Sequence, residues 1–275
     1  MKRRYTGHMY LLKLIILILI LAAIYTAIRT TILIKKSSAL IAASSKYERI
    51  SPRPSHNLLF LGDSTTVGTG SENPELSVAG RFGAAYPNAS IYNRGINGQK
   101  IHELVQSFVA DPLNSASGAN ATSSTSPLAD SLVAPQGPAH FDLIVIQIGA
   151  NDIIRFTPTD KIEADLDTLL AEAKTKSDRV AILHSGNLGL SPFFPRYLGW
   201  IWTMRTKQVR SIYIRLADKH QAMYVDLFEE KNSDELSKDP KKYYAADYLH
   251  LTGAGYGIWF DKINAAIEAS GMRAL

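Results

Sequence analysis

Short apolar runs alternating with longer amphipathic stretches most constrain what this chain can become. Runs at 57–62, 90–94, 142–149, 179–184 and 222–227 have strand length, and helical patterns fit 75–86, 99–110, 160–175, 202–220 and 253–269. Strands separated by helices pair parallel through crossovers, so the expectation is an α/β fold: a three-layer α/β/α sandwich around a parallel sheet of about five strands. In such sheets functional groups gather beyond the carboxyl ends of the strands.

Four segments fall at such ends or close to the C-terminus: Gly62-Asp63-Ser64, Asn93-Arg94-Gly95-Ile96-Asn97-Gly98, Gly149-Ala150-Asn151-Asp152 and Asp247-Tyr248-Leu249-His250. A serine hydroxyl is a poor nucleophile unless a base takes its proton, and that base needs an acid to hold its tautomer. Asp247 and His250 are three apart, so one turn of chain can place carboxylate and imidazole together, with Ser64 as the nucleophile. The Asn151 amide and backbone N–H groups are candidate donors for an oxyanion. Asp63 and Asp152 read as residues that orient loops, supported by the turn glycines Gly62 and Gly149. His184, at the end of the fourth strand, is the rival base, while the other histidines show no acidic partner at useful spacing. No metal-ligand spacing links Asp63, Asp152 and Asp247, and the chemistry calls for no cofactor.

In order and content these segments resemble the Ser, Gly, Asn and His blocks of the SGNH (GDSL-type) hydrolase family, over about residues 57–270. The resemblance implies a flavodoxin-like fold, a serine esterase or lipase with broad acyl chemistry, and an oxyanion hole of Ser64 N–H, Gly98 N–H and the Asn151 side chain, with Gly95 a structural turn glycine. The stretch 111–140 is longer than a compact core of that family needs. Its uncharged Asn114–Ser126 part reads as a flexible insertion. Asn88-Ala89-Ser90 and Asn120-Ala121-Thr122 match the glycosylation sequon. The aromatic, Pro-punctuated segment 188–202 either lines an acyl pocket, touches lipid, or simply packs on the core.

Charge separates the chain into two parts. The net charge is +5, yet residues 1–50 carry nine Lys/Arg against the single acid Glu48, leaving the remainder at −3. The basic character belongs to the N-terminal part, and a nucleic-acid partner for the main domain loses its support. With no cysteine, disulfides, zinc–thiolate sites and a cysteine nucleophile are excluded.

Met9 to Ile28 is interrupted only by Lys13, and twenty helical residues at about 1.5 Å each match a bilayer core of about 30 Å. The expected organisation is therefore a basic tail (1–8), a signal-anchor helix (9–28), a polar juxtamembrane linker (29–55) and a hydrolase domain (56–275). A cleaved signal peptide and a buried core helix are the alternatives. Positive charge nearly balances across the span, and the short basic tail favours an extracytoplasmic domain. The substrate is expected to be a carboxylic ester on an acyl lipid (lysophospholipid-like) or an acetylated glycan. An O-acyltransferase using the same acyl-enzyme, or a non-catalytic glycan- or lipid-binding domain, are the competing functions.

Overall fold

The computed structural model describes residues 2–110 and 138–269. Most of the 111–140 insertion and the sequon at Asn120 lie outside them. Within them, five parallel strands form one sheet: β1 (Asn57–Gly62), β2 (Ser90–Asn93), β3 (Leu143–Gln147), β4 (Val180–Leu183) and β5 (Met223–Tyr224), in the order β2-β1-β3-β4-β5. This is the flavodoxin-like order, and the strand order reverses between β1 and β3. The register places Gly62 beside Gln147, so the β1 and β3 ends reach the same level.

Helices cover both faces. α1 (Lys2–Ala43) precedes the sheet; α2 (Ser64–Val67) and α3 (Val78–Ala85) follow β1; α4 (Ile101–Ala110) follows β2. α5 (Ala150–Ile154) and α6 (Thr159–Lys176) follow β3, and α7 (Gly199–Lys219) follows β4. α8 (Glu235–Lys238), α9 (Pro240–Tyr243) and α10 (Gly253–Ala269) close the chain. Strand residues alternate between two cores. Leu59, Leu61, Ile144 and Ile146 pack with α4, α6 and α7, whereas Leu58, Phe60, Leu143 and Val145 pack with α3 and α10. Because both faces are covered, the strands read as continuous apolar runs.

Two elements differ from the sequence reading for local reasons. The 75–86 helix is split: Pro74–Leu76 forms a 3-10 turn, and the Ser77 hydroxyl then accepts from Gly80 N at 3.0 Å to start α3. The strand expected over 222–227 shortens to two residues, because the Asp226 carboxylate accepts from Phe228 N at 3.1 Å and turns the edge away.

A third difference concerns the N-terminal part. α1 does not stop at Ile28 but continues to Ala43, and the apolar stretch long enough to cross a membrane is read within Leu12–Ala43. Extending a formed helix costs little, and Lys35 and Lys36 point to solvent. Beyond the helix, Arg49 bridges to Ile91 in antiparallel sense, and its guanidinium donates to the carbonyls of Gly83, Tyr86 and Ala89. Residues 29–55, read from sequence as a linker, therefore pack on the domain over much of their length.

Candidate active site

β1 ends in Gly62, whose φ of +144° and position are tolerable only without a side chain: a Cβ there would stand 1.8 Å from the Gln147 carbonyl oxygen. This close approach tucks the chain against β3 and releases Ser64 into the first turn of α2. Asp63 caps that turn, its Oδ1 accepting from Thr65 N and Thr65 Oγ1, both at 2.9 Å. Burial pushes the Asp63 carboxyl up to about 6, against the downward pull of the Thr65 N–H and hydroxyl and of His250.

The C-terminal segment meets Ser64 from the other side. His250 Nε2 lies 3.1 Å from Ser64 Oγ, and His250 Nδ1 lies 2.6 Å from Asp247 Oδ2. Asp247 is fully buried, and its Oδ1 accepts from Leu249 N at 3.0 Å and His250 N at 3.1 Å. Burial alone would raise the Asp247 carboxyl, but the His250 contact and the two N–H groups outweigh it, and the group ends below its ordinary value. A carboxylate can only accept, so Nδ1 carries the proton and Nε2 is left to accept from Ser64 Oγ–H. The tight loop puts Tyr248 at φ +60°, and its carbonyl accepts from Ser191 Oγ at 2.6 Å and Phe193 N at 3.2 Å.

The β2 and β3 ends complete the arrangement. Asn93 is buried, donating to Thr66 O and accepting from Gly95 N, both at 3.0 Å, which ties the Gly block to α2. Gly98 sits at φ +77° with open space where a Cβ would be, apart from the Arg155 guanidinium at 3.6 Å. Gly149, at φ +110°, starts α5, which carries Asn151 and Asp152. Asn151 Nδ2 donates to Gln99 O at 3.2 Å and is 3.5 Å from Asp63 Oδ2, so one amide hydrogen is held and the other is only loosely engaged. Asp152 Oδ2 accepts from Ile101 N at 3.0 Å at the start of α4. Burial is the main influence on Asp152 and raises its carboxyl.

His184 is placed differently. It is buried edge-on to Tyr213, with Nδ1 against Ser185 O and Nε2 3.0 Å from the Tyr224 hydroxyl. Burial holds it at about 4, so it is neutral, and both ring nitrogens are engaged by groups other than Ser64. Three histidines set aside for want of an acid do meet one: His102 with Asp165, His220 with Asp167 and His140 with Asp178. Among the described residues only His250 joins a carboxylate to a serine hydroxyl. No group of metal-ligating side chains occurs among them either.

Ser64, Gly98, Asn151 and His250 share one cavity of about 200 Å³. Its walls mix apolar side chains (Ile154, Leu188, Leu249, Trp259) with polar ones that sequence reasoning missed, Ser185 and Asn187, the Ser185 hydroxyl being buried and without a hydrogen-bond partner. These sit in loops that carry no motif, and only their position after the β4 end could have pointed to them. Two further wall residues, Ser37 and Ile41, come from α1.

The chain matches the GDSL-like lipase/acylhydrolase family over residues 60–258. Its fold is similar to solved structures of a lipolytic G-D-S-L family protein from Veillonella parvula DSM 2008 (TM-score 0.56, 15% identity, 76% of this chain and 96% of that one). It is also similar to a lipase/acylhydrolase from Enterococcus faecalis (0.54, 18%, 78% and 96%). An acetylxylan esterase from Geobacillus stearothermophilus is a third such neighbour (0.52, 20%, 79% and 96%). No curated protein matches it in sequence. Sheet order, helical layers and the family match define an α/β hydrolytic domain with the SGNH fold. The chain belongs to the GDSL-like lipase/acylhydrolase family, and it is an enzyme acting on ester bonds.

Proposed function

We propose that this protein is a membrane-anchored serine esterase that cleaves short-chain carboxylic esters, of the O-acetyl type, through an acyl-enzyme on Ser64. The carrying observation is the contact chain Asp247 Oδ2–His250 Nδ1 (2.6 Å) and His250 Nε2–Ser64 Oγ (3.1 Å). His250 takes the Ser64 proton as Oγ attacks the ester carbonyl, then returns it to the leaving alcohol. Water repeats the sequence on the acyl-enzyme and releases the acid. Asp247 holds the tautomer and stabilises the imidazolium. Ser64 N–H, Gly98 N–H and the loosely engaged Asn151 amide hydrogen serve the oxyanion.

The cavity favours a short acyl group over a lysophospholipid chain, since about 200 Å³ is less than the roughly 300–1,000 Å³ of sites that enclose larger ligands. The apolar first part of α1, bare along Leu12–Tyr25, supports anchoring through residues 9–28. The test is a p-nitrophenyl ester series from acetyl to palmitoyl, run on the full chain and on Ser64→Ala. Wild type should prefer the short end, and the variant should lose about 10⁴-fold or more in kcat while remaining folded. Retention of more than about a tenth of the turnover by the variant would end the assignment.

A further inference from the structure

α1 does more than precede the domain. Met9, Tyr10 and residues 12–25 are exposed, and cover begins at Thr26. From there Thr26, Thr30, Leu33, Ser37, Leu40 and Ser44 are partly or fully covered, a stripe at three- and four-residue spacing that marks one helix face laid on the domain. Leu33 is 4% exposed.

Polar contacts lock both ends of that face. The Arg29 guanidinium donates to Phe193 O at 2.9 Å and to Pro192 O, and the Thr26 hydroxyl lies 3.1 Å from that of Tyr197. At the other end Asn97 Nδ2 donates to Ser44 Oγ at 3.1 Å, while Asn97 Oδ1 accepts from Thr69 Oγ1 at 2.6 Å. Asn97 adjoins Gly98, and Phe193 N donates to the Tyr248 carbonyl of the Asp247–His250 loop. Between these two anchor points Ser37 and Ile41 line the same cavity as Ser64, Gly98, Asn151 and His250.

Resting on the esterase reading, we propose that α1 is a structural wall of the ester-binding pocket, and that Ser37 and Ile41 limit the size of the ester it admits. The helix bearing the apolar segment is thus also a specificity element, with no flexible spacer between them. Ser37 lies nine residues past Ile28, so at about 1.5 Å per residue the wall starts about 14 Å beyond the charge-free stretch. Esters attached to molecules lying at the membrane face are the substrate class this placement serves.

The experiment uses the full chain in detergent micelles and two series of p-nitrophenyl and alkyl esters, one lengthened on the acyl side and one on the alcohol side. Ile41→Trp should lower kcat/KM about 10-fold or more for the long members of at least one series, with less than about 3-fold change for the shortest ester. Ile32→Trp, exposed and on the side of the helix opposite Ile41, should leave the size profile unchanged. If Ile41→Trp does not fold, the smaller Ile41→Ala and Ser37→Gly carry the test and should shift preference about 3-fold or more toward longer esters. Size profiles that match wild type in both series for the folded variants would overturn the wall. Labelling by a fluorophosphonate separates this from failure of the esterase itself: a wild type whose Ser64 is neither labelled nor hydrolytic refutes the underlying activity, whereas a labelled, active wild type with unmoved profiles refutes only the wall.

Discussion

At Asp63, burial outweighs the hydrogen bonds from Thr65 and the pull of His250. The Asp63 carboxyl is fully buried and stands at about 6 against an ordinary 3.8. Those two units, at about 1.4 kcal/mol each, amount to about 3 kcal/mol. The native state binds the Asp63 proton more tightly than the unfolded chain does. The stabilisation is therefore fully present below about 3.8 and is lost as pH rises through about 6. Asp63→Asn keeps the shape and an oxygen able to accept from Thr65 N, yet cannot ionise. Relative to wild type, the variant should gain about 2.4 kcal/mol of stability between pH 4 and pH 7.5, whatever its fixed offset, part of the loss already lying below pH 4. For a domain of this size that corresponds to about 5–10 °C in the difference of melting temperatures. Paired thermal melts across that pH range, followed by intrinsic fluorescence, read the gain with other titrating groups cancelled. A melting difference that stays constant with pH would refute the argument, because it would mean that the folded state does not burden the ionised carboxylate.

Asn151→Ala should lower kcat by about 10²–10³ with little change in KM, since the amide is assigned to the oxyanion and not to the ground-state carbonyl; a KM effect alone would place it in substrate binding. Asp247→Asn should cost about 10⁴ in kcat at neutral pH, because an amide permits the wrong imidazole tautomer, and steady-state kinetics showing less than a tenfold loss would remove Asp247 from the mechanism. The full chain should stay with membranes through alkaline carbonate extraction; recovery in the supernatant with a new N-terminus near Ser44 would show cleavage instead.

The parts of the molecule legible in the sequence are those governed by short-range rules. Strand runs such as 57–62 and 142–149 must be apolar on both faces because helices cover both, and that pattern is visible without knowing which helix does so. Asp247 and His250 are three residues apart, so their pairing follows from local geometry. What remained open depends on approach over long sequence separation. Ser64 and His250 are 186 residues apart; the Asp247 spacing favours His250 over the rival His184 in sequence, but only packing shows that Ser185 and Tyr224 engage the latter and that Ser64 meets the former. Residues 29–43 look like a polar spacer because Arg29, Lys35, Lys36 and four hydroxyl side chains interrupt the apolar run; only packing shows that Thr26, Leu33, Ser37 and Ser44 share one face and lie on the domain. A helix face made of small and hydroxyl side chains announces little by itself, since its apolar burial is modest. Its role is decided by what the fold sets against it, here the Pro192–Phe193 carbonyls, Asn97 and the pocket of Ser64.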